Sequence, residues 1–327
     1  MTDHPRGSGP RAAALHRARA LGSSALKASL LKAAGSKTLQ RQMTKNPLAR
    51  RVAGRFIAGD ALTDAVEVVR RLNASGASAS LDYLGENTDS DAQARAATVA
   101  YLAALDSIRN ERLDAEVSVK LTALGLDVRP ALAIEEAARV AARAKETHTF
   151  VAIDMESHDY VDRTLASLDT LRRAYHNLGV CVQAYLYRTP DDLERLIDWQ
   201  VRVRLVKGAY REPSEVAYPD KASVDRAFAR LLERLMEAGA YPMIATHDPR
   251  LLRLTKKLAG RYQRDRDTFE FQMLYGVRRD LQQKILEEGY RLRVYVPYGG
   301  QWYPYFMRRL AEQPANLYFF LSHLAKA

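Results

Sequence analysis

The residues with the most specific chemistry lie near the C-terminus, in the segment YPYFMRRLAE at 303–312. A helix there places Tyr305, Arg308, Arg309 and Glu312 on one face, because they are three, four and seven residues apart. Paired guanidinium groups suit a small carboxylate, since each offers two parallel donors and keeps its charge. The segment therefore predicts a site for an amino-acid carboxylate, and a solvated helix face is the alternative.

Eight short runs rich in β-branched and aromatic residues alternate with amphipathic stretches from about residue 61 onward. This alternation predicts repeated βα units. The predicted strands are 79–85, 116–125, 149–156, 179–187, 201–208, 241–248, 268–276 and 292–299. Eight such units predict an α/β fold, a (βα)8 TIM barrel, and a doubly wound sheet is the competitor. We expect two parts, an N-terminal arm at 1–60 and a barrel at 61–327.

Polar residues recur toward the ends of these predicted strands, although the strands of a parallel barrel should be largely apolar. The set contains Asp82, Glu86, Lys120, Asp154, Glu156, Gln183, Tyr185, Arg204, Lys207, Thr246, His247, Asp248, Glu270, Gln272 and Tyr295. Helix capping accounts for residues such as Asp248, which precedes the helical pattern PRLLRL. It does not account for Lys120, Gln183, Arg204 or Glu270, so we expect these near the barrel mouth, where active sites of this fold lie.

Several classes of site have no support in the sequence. The single cysteine, Cys181, excludes an internal disulfide, and the seven dispersed histidines give no metal-ligand pattern. Neither a G-x-G-x-x-G motif after a strand nor a P-loop is present. The segment VKGAY places Lys207 and Gly208 at a strand end, which would let the backbone approach an anionic group.

Most of the excess positive charge lies in the N-terminal arm. The chain has a net charge of +11, and residues 1–60 carry 12 Lys or Arg against only Asp3 and Asp60. Short basic amphipathic helices of this kind bind anionic lipid. A lipid- or nucleic-acid-binding module is therefore the alternative function, although the arm lacks the interleaved aromatics of nucleic-acid sites. We expect a cytoplasmic protein, with peripheral contact to the inner face of the membrane.

Taken together, the motifs DYLGE, SVKLTALG, IDME, VQAYLYRT, RLVKGAY, ATHD, FEFQMLYG and WYPYFMRRLAE resemble the monofunctional bacterial proline dehydrogenases. The resemblance runs from about residue 79 to 316, in register with all eight predicted strands. It implies a distorted βα barrel that binds FAD without a Rossmann motif, with the last helix over the barrel mouth. The implied reaction is oxidation of L-proline to Δ1-pyrroline-5-carboxylate, with electrons passing from reduced FAD to a membrane quinone.

The resemblance also implies roles for individual residues. Arg308 and Arg309 would bind the proline carboxylate, with Lys120 nearby and Glu312 orienting the arginines. Tyr305, Tyr295 and Leu274 would pack around the pyrrolidine ring, and Asp154 would support the charged cluster. The residues implied to contact or approach FAD are Gln183, Arg204, Lys207, Gly208, Thr246, His247 and Glu270.

Two further expectations concern substrate and partners. In relatives that oxidise hydroxyproline the position of Tyr295 holds a smaller residue, so Tyr295 implies a preference for proline. The length of 327 residues leaves no room for a fused aldehyde dehydrogenase domain. A separate pyrroline-5-carboxylate dehydrogenase is therefore expected downstream.

Overall fold

The computed structural model describes residues 36–312, and these residues form two compact units. One unit is the continuous segment Arg55–Gly300, and the other joins residues 36–54 to residues 301–312. The expected boundary at residue 60 stays a prediction, and residues 1–35 of the basic arm lie outside the described residues.

The segment Arg55–Gly300 alternates strands and helices as the sequence predicted. Its strands are β1 (Ser78–Tyr83), β2 (Ala115–Val119), β3 (Val151–Ile153), β4 (Leu178–Gln183), β5 (Arg202–Val206), β6 (Pro242–Ala245), β7 (Glu270–Leu274) and β8 (Leu292–Tyr298). Its helices, numbered along the chain after the two short helices α1 (Lys37–Lys45) and α2 (Pro47–Ala53), are α3 (Leu62–Ala74), α4 (Asp91–Asn110), α5 (Pro130–Glu146), α6 (Val161–Arg172), α7 (Thr189–Asp198), α8 (Lys221–Ala238), α9 (Pro249–Arg261) and α10 (Arg279–Glu287).

The eight strands are parallel and close into a barrel, with β8 paired to β1. All eight predicted strands are present, and the doubly wound alternative is wrong because the sheet has no open edge. Register pairs Ser80 of β1 with Glu116 of β2 on one side and with Tyr295 of β8 on the other. These pairings bring polar side chains of neighbouring strands to the same level in the barrel interior.

The strand faces follow from the period of two along each strand. Leu81, Val117 and Val294 are fully buried in the apolar layer between the strands and the surrounding helices. The α3 residues Ala65 and Val69, four positions apart on the helix, belong to the same layer. The alternate strand positions face the barrel interior, which is therefore largely polar.

The second unit contains α1, α2 and the last helix, α11 (Tyr303–Glu312). Within this unit α11 contacts α1. The helix predicted around the paired arginines is thus confirmed, whereas its position over the barrel mouth stays a prediction. None of the helices within residues 36–312 combines the length and apolar character needed to span a bilayer.

Candidate active site

A buried cluster of charged side chains lies at the C-terminal ends of β1, β2 and β3. The ammonium group of Lys120, directly after β2, donates to both carboxylate oxygens of Asp82 at 2.9 and 3.0 Å. It also lies 3.4 Å from Asp154 Oδ2 and 3.8 Å from Glu86 Oε1. The hydroxyl of Tyr295 donates to Asp154 at 2.6 Å. The structure therefore brings three predicted site residues, Lys120, Asp154 and Tyr295, into one network.

The charges in this cluster follow from burial and from the neighbouring groups. Burial lowers the pKa of Lys120, but the carboxylates of Asp82 and Asp154 outweigh it and the pKa lies well above its ordinary value. Burial raises the pKa of Asp154, but Lys120 and Arg204 reverse the effect and leave the pKa below its ordinary value. Burial, with the charge of Asp154, holds the pKa of Tyr295 well above its ordinary value. At neutral pH Lys120 is therefore cationic, Asp154 is anionic and Tyr295 is a hydrogen-bond donor.

Arg204 lies in the middle of β5 and connects this cluster to the next polar layer of the barrel. Its guanidinium donates to Asp154 Oδ1 at 2.5 Å, to Ser118 Oγ at 2.9 Å and to Gln272 Oε1 at 2.6 Å. The side chain is almost wholly buried, and its charge centre lies 5.4 Å from the ring centroid of Tyr295. Arg204 is thus a fixed buried cation beneath Tyr295.

Glu270 does not lie near the barrel mouth, and this part of the sequence prediction is wrong. It is the first residue of β7, so it sits at the N-terminal end of the barrel. There its carboxylate accepts from Arg293 Nε at 2.8 Å and from the Gln272 amide at 2.6 Å. Its predicted contact with the cofactor has no support from this position.

Residues expected to bind the cofactor follow β4, β5 and β6. Gln183 ends β4 and donates its amide to the backbone carbonyl of Glu156 at 2.8 Å. Lys207 follows β5 and lies 2.5 Å from Asp225 and 3.2 Å from Asp248. These two strand ends therefore place an amide donor and an ammonium donor at the barrel mouth.

Thr246 and His247 follow β6. The hydroxyl oxygen of Thr246 accepts from the backbone N–H of Asp248 at 3.1 Å, and Asp248 caps α9 as the sequence predicted. The Nε2 atom of His247 accepts from the backbone N–H of Leu274 at 3.0 Å, so a neutral His247 carries its proton on Nδ1. This hydrogen bond joins a predicted cofactor residue to Leu274, a predicted substrate residue.

Gly208 has a structural role besides the one predicted from VKGAY. Its φ of +119° lies in the region that favours glycine. A Cβ at this position would come within 2.5 Å of the ring of Tyr185. Glycine is therefore required here by the backbone and by Tyr185, and the approach of an anionic group to this backbone stays a prediction.

The paired arginines of α11 have different environments because neighbouring helical residues point about 100° apart. Arg309 is buried, with its charge centre 5.1 Å from the ring centroid of Tyr305, also buried. This pair confirms the predicted i, i+4 relation between Tyr305 and Arg309. Arg308 is partly exposed. The side chain of Glu312 lies outside the described part of the chain, so its orienting role stays a prediction.

Three members of the network were given no role by sequence reasoning. Asp82 is the closest counter-ion of Lys120, while Ser118 and Gln272 hold Arg204. Asp82 and Gln272 were noted as polar strand residues, which was the available signal. Ser118 gave none, because a serine in a strand is chemically ordinary, and only its contact with Arg204 distinguishes it.

Glu156, just beyond β3, should make stability depend on pH near neutrality. Burial raises its pKa from 4.5 to about 7; two hydrogen bonds from Thr122 oppose the rise and the charge of Glu86 adds to it. The folded carboxyl therefore keeps a proton that the unfolded carboxyl loses. As the pH rises from about 4.5 to about 7, the free energy of unfolding should fall by on the order of 3 kcal/mol through this group.

Glu156→Gln should remove this contribution, because an amide does not ionise in the range. Denaturant titrations at about pH 4.5 and about pH 7.5 measure the difference between the variant and the parent chain. Glu135→Gln on α5, where the carboxylate is exposed, is the matched control. Parallel pH profiles for the parent and Glu156→Gln would contradict the buried-carboxyl assignment.

Comparison with known proteins shows the family to which this chain belongs. The family model described as proline dehydrogenase matches residues 65–321. The chain belongs to the proline dehydrogenase family. The protein named proline dehydrogenase 1 from Bacillus subtilis subsp. natto is 42% identical over 274 residues, which cover 84% of this chain and 91% of the relative. The proline dehydrogenase of Deinococcus radiodurans is 40% identical over 280 residues, covering 84% of this chain and 90% of that relative.

Solved structures of larger proline-utilising proteins share the fold. The crystal structure of proline utilization A from Bdellovibrio bacteriovorus, inactivated by N-propargylglycine, superposes with a TM-score of 0.75 at 26% identity. The match covers 80% of this chain and 32% of that protein. This proline dehydrogenase family member therefore spans about a third of the larger protein.

Proposed function

We propose that the chain oxidises L-proline to Δ1-pyrroline-5-carboxylate with FAD as cofactor and passes the electrons to a membrane quinone. The observation that carries the proposal is the buried network of Lys120, Asp82, Asp154, Tyr295 and Arg204. Such a network is costly to bury, and it lies at the strand ends where active sites of barrels are built. Family membership supports the oxidation of proline, because the similar relatives are named proline dehydrogenases.

The chemistry of the donor set fits a flavin cofactor. Arg204 supplies a buried cation, and Gln183, Lys207 and His247 supply an amide, an ammonium and an imidazole at neighbouring strand ends. We propose that these residues, with Thr246 and the backbone at Gly208, hold FAD. Cations beside an isoalloxazine favour its electron-rich reduced state. When bound, FAD supplies the acceptor for the hydride that leaves C5 of proline.

Other residues would bind and orient the substrate. Arg308 and Arg309 would bind the proline carboxylate with α11 across the barrel mouth, Glu312 would orient them, and Lys120 would add a nearby positive charge. Tyr305 and Leu274 would cover the pyrrolidine ring. Orientation of this kind contributes roughly 7 to 11 kcal/mol of barrier reduction in well-aligned systems.

Tyr295 supports a preference for proline over hydroxyproline. Its hydroxyl is tied to Asp154 at 2.6 Å and lies 3.4 Å from the ammonium group of Lys120. The Tyr295 ring is fixed at one end by the backbone of β8 and at the other by the hydrogen bond of its hydroxyl. It therefore leaves no room for an additional hydroxyl on the substrate ring. Comparing kcat/KM for the two substrates tests this, and equal values would contradict it.

The direct test of the reaction is an absorbance spectrum of the purified full-length chain. We expect a flavin spectrum that bleaches under anaerobic conditions when L-proline is added and returns when a soluble quinone is supplied. D-proline is the matched control, because it has the same ring and carboxylate but the opposite configuration at Cα. Colourless protein that FAD does not reconstitute, or a flavin unaffected by L-proline, would contradict the proposal.

Membrane contact is a further part of the proposal, since the quinone is lipid-soluble and residues 1–60 are strongly basic. Flotation with anionic and with neutral vesicles tests it, and equal recovery would contradict an electrostatic contact. A separate pyrroline-5-carboxylate dehydrogenase would consume the product. The alternative of a lipid- or nucleic-acid-binding module is not favoured, because the family match covers the whole barrel.

A further inference from the structure

A cavity lies at the opposite end of the barrel from the proposed active site. Its volume is about 680 Å³, and its walls come from residues that precede or begin strands. Ala115 begins β2, Arg202 begins β5, Tyr241 precedes β6 and Arg291 precedes β8. The cavity therefore opens at the N-terminal face, away from the C-terminal strand ends where Lys120 and Asp154 lie.

The lining of this N-terminal cavity is strongly basic. Five arginines line it, against the two carboxylates of Asp114 and Glu116; they are Arg109, Arg112, Arg202, Arg291 and Arg293. Arg293 is occupied, because it donates to Glu270 at 2.8 Å and to the backbone carbonyl of Ala79 at 2.9 Å. Arg109 and Arg112 are exposed, and no residue in the described range 36–312 forms an ion pair with either side chain. The cavity thus has an excess of cationic donors.

Arg202 is the central donor and is held without a hydrogen-bonding counter-ion. Its guanidinium lies between the rings of Phe150 and Tyr241, with its central carbon 4.0 and 4.2 Å from their centroids. Its buried Nε atom has no hydrogen-bond partner among the described residues. The nearest carboxylate oxygens, on Glu116 and Glu270, are 3.9 and 4.0 Å from its terminal nitrogens, beyond hydrogen-bond range.

A flat guanidinium fixed between two rings presents its donors at its edge, and this edge matches the paired oxygens of a carboxylate or phosphate. Burying such a donor without a partner is costly. An oxyanion in the cavity would accept hydrogen bonds from the terminal nitrogens of Arg202, which the carboxylates at 3.9 and 4.0 Å do not bind, and the outer arginines would supply further charge. The ring stacking also excludes free rotation of Arg202, so the donor is already oriented before a ligand arrives.

We propose that the N-terminal cavity binds a small multivalent oxyanion, carrying phosphate or carboxylate groups, with Arg202 as its main donor. This site is separate from the proline carboxylate site and does not rest on the proposed reaction. Pyrophosphate and citrate are suitable probes, because they present the two kinds of oxyanion on compact molecules that fit the volume. Arg202 comes from β5, whereas Arg109 and Arg112 come from the end of α4 and the loop after it.

Isothermal titration of the full-length chain in saturating L-proline tests the proposal, since proline occupies the other carboxylate site. We expect saturable one-to-one binding of at least one probe. The probe that binds with the higher affinity shows whether the cavity prefers phosphate or carboxylate groups. Sodium chloride at matched ionic strength is the control for simple screening. The absence of saturable binding for both probes, or its complete loss in matched sodium chloride, would overturn the proposal.

A variant pair separates ligand binding from stability. Arg112 has φ of +52° in the loop between α4 and β2, where glycine is favoured. Arg112→Gly therefore removes a cationic donor without loss of folding stability, and adding Arg109→Ala should weaken binding about tenfold or more. Gln263→Gly, at φ of +50° in the loop after α9 and outside the cavity, is the matched control. Unchanged affinity in the double variant would overturn the proposal.

Discussion

Lys120→Met is expected to lower both stability and proline turnover more than other single changes in the barrel. The ammonium group is the near counter-ion of Asp82 and lies within 4 Å of Asp154 and Glu86. Removal leaves buried carboxylates without their partner, and breaking such a pair typically costs about 3–5 kcal/mol. We expect a loss of this size in the free energy of unfolding and about a 100-fold fall in kcat/KM. Denaturant titration and steady-state kinetics measure the two effects.

The double variant Asp82→Asn with Lys120→Met separates these effects. Neutralising Asp82 removes the carboxylate closest to the lost ammonium, so a substantial part of the stability should return. Turnover should not return, because the positive charge near the substrate is still absent. Lys257→Met on α9 is the control, since this lysine is exposed and lies outside the buried cluster. A Lys120→Met variant as stable as the parent chain would show that Lys120 does not compensate the charge of the buried carboxylates.

Arg308→Met is expected to weaken proline binding severely while the flavin content is unchanged. A hydrogen bond to a charged group typically contributes about 1.5 to 3 kcal/mol, which corresponds to a rise in KM of roughly 10- to 150-fold. The effect should be confined to the substrate, because the residues proposed to hold FAD lie in the barrel strands β4 and β5 or directly after β5 and β6. Steady-state kinetics with proline and the flavin-to-protein absorbance ratio measure the two quantities.

Arg308→Lys refines this prediction, since a lysine keeps the charge but loses the two parallel donors. We expect a KM between those of the parent chain and Arg308→Met. Arg226→Met on α8, where the side chain is exposed, controls for the loss of one positive charge. An unchanged KM in Arg308→Met would remove the arginine from the substrate site and leave the position of α11 over the mouth without support.

The fold was readable from the sequence because its apolar residues repeat with the period of each element. Strand positions such as Leu81, Val117 and Val294 alternate with polar ones, and α3 repeats its apolar residues with helical spacing. The same alternation places the intervening polar residues on the opposite face of each strand, toward the barrel interior. The apolar pattern is therefore sufficient to predict the number of strands and to predict that Lys120, Arg204 and Tyr295 point inward.

The same pattern does not predict how far along the barrel axis each residue lies, from the N-terminal end to the mouth. The segment TFEFQMLYG shows that Glu270, Gln272 and Leu274 face the interior, but not which of them lies at the mouth. That depends on where β7 begins and on the stagger between neighbouring strands. Because β7 begins at Glu270, this residue pairs with Arg293 at the bottom of the barrel, while Leu274 meets His247 at the top.

The sequence by itself determined the family, the order of the eight strands and the residue types that face the barrel interior. Local periodicity and short motifs carry that information without reference to distant parts of the chain. Only the tertiary structure decided which charges meet, such as Asp82 with Lys120 or Asp154 with Arg204, and which donor, Arg202, is held between rings without a hydrogen-bonding counter-ion. The physical reason is that strand register and burial set these distances and pKa values, and both arise from contacts between residues far apart in sequence.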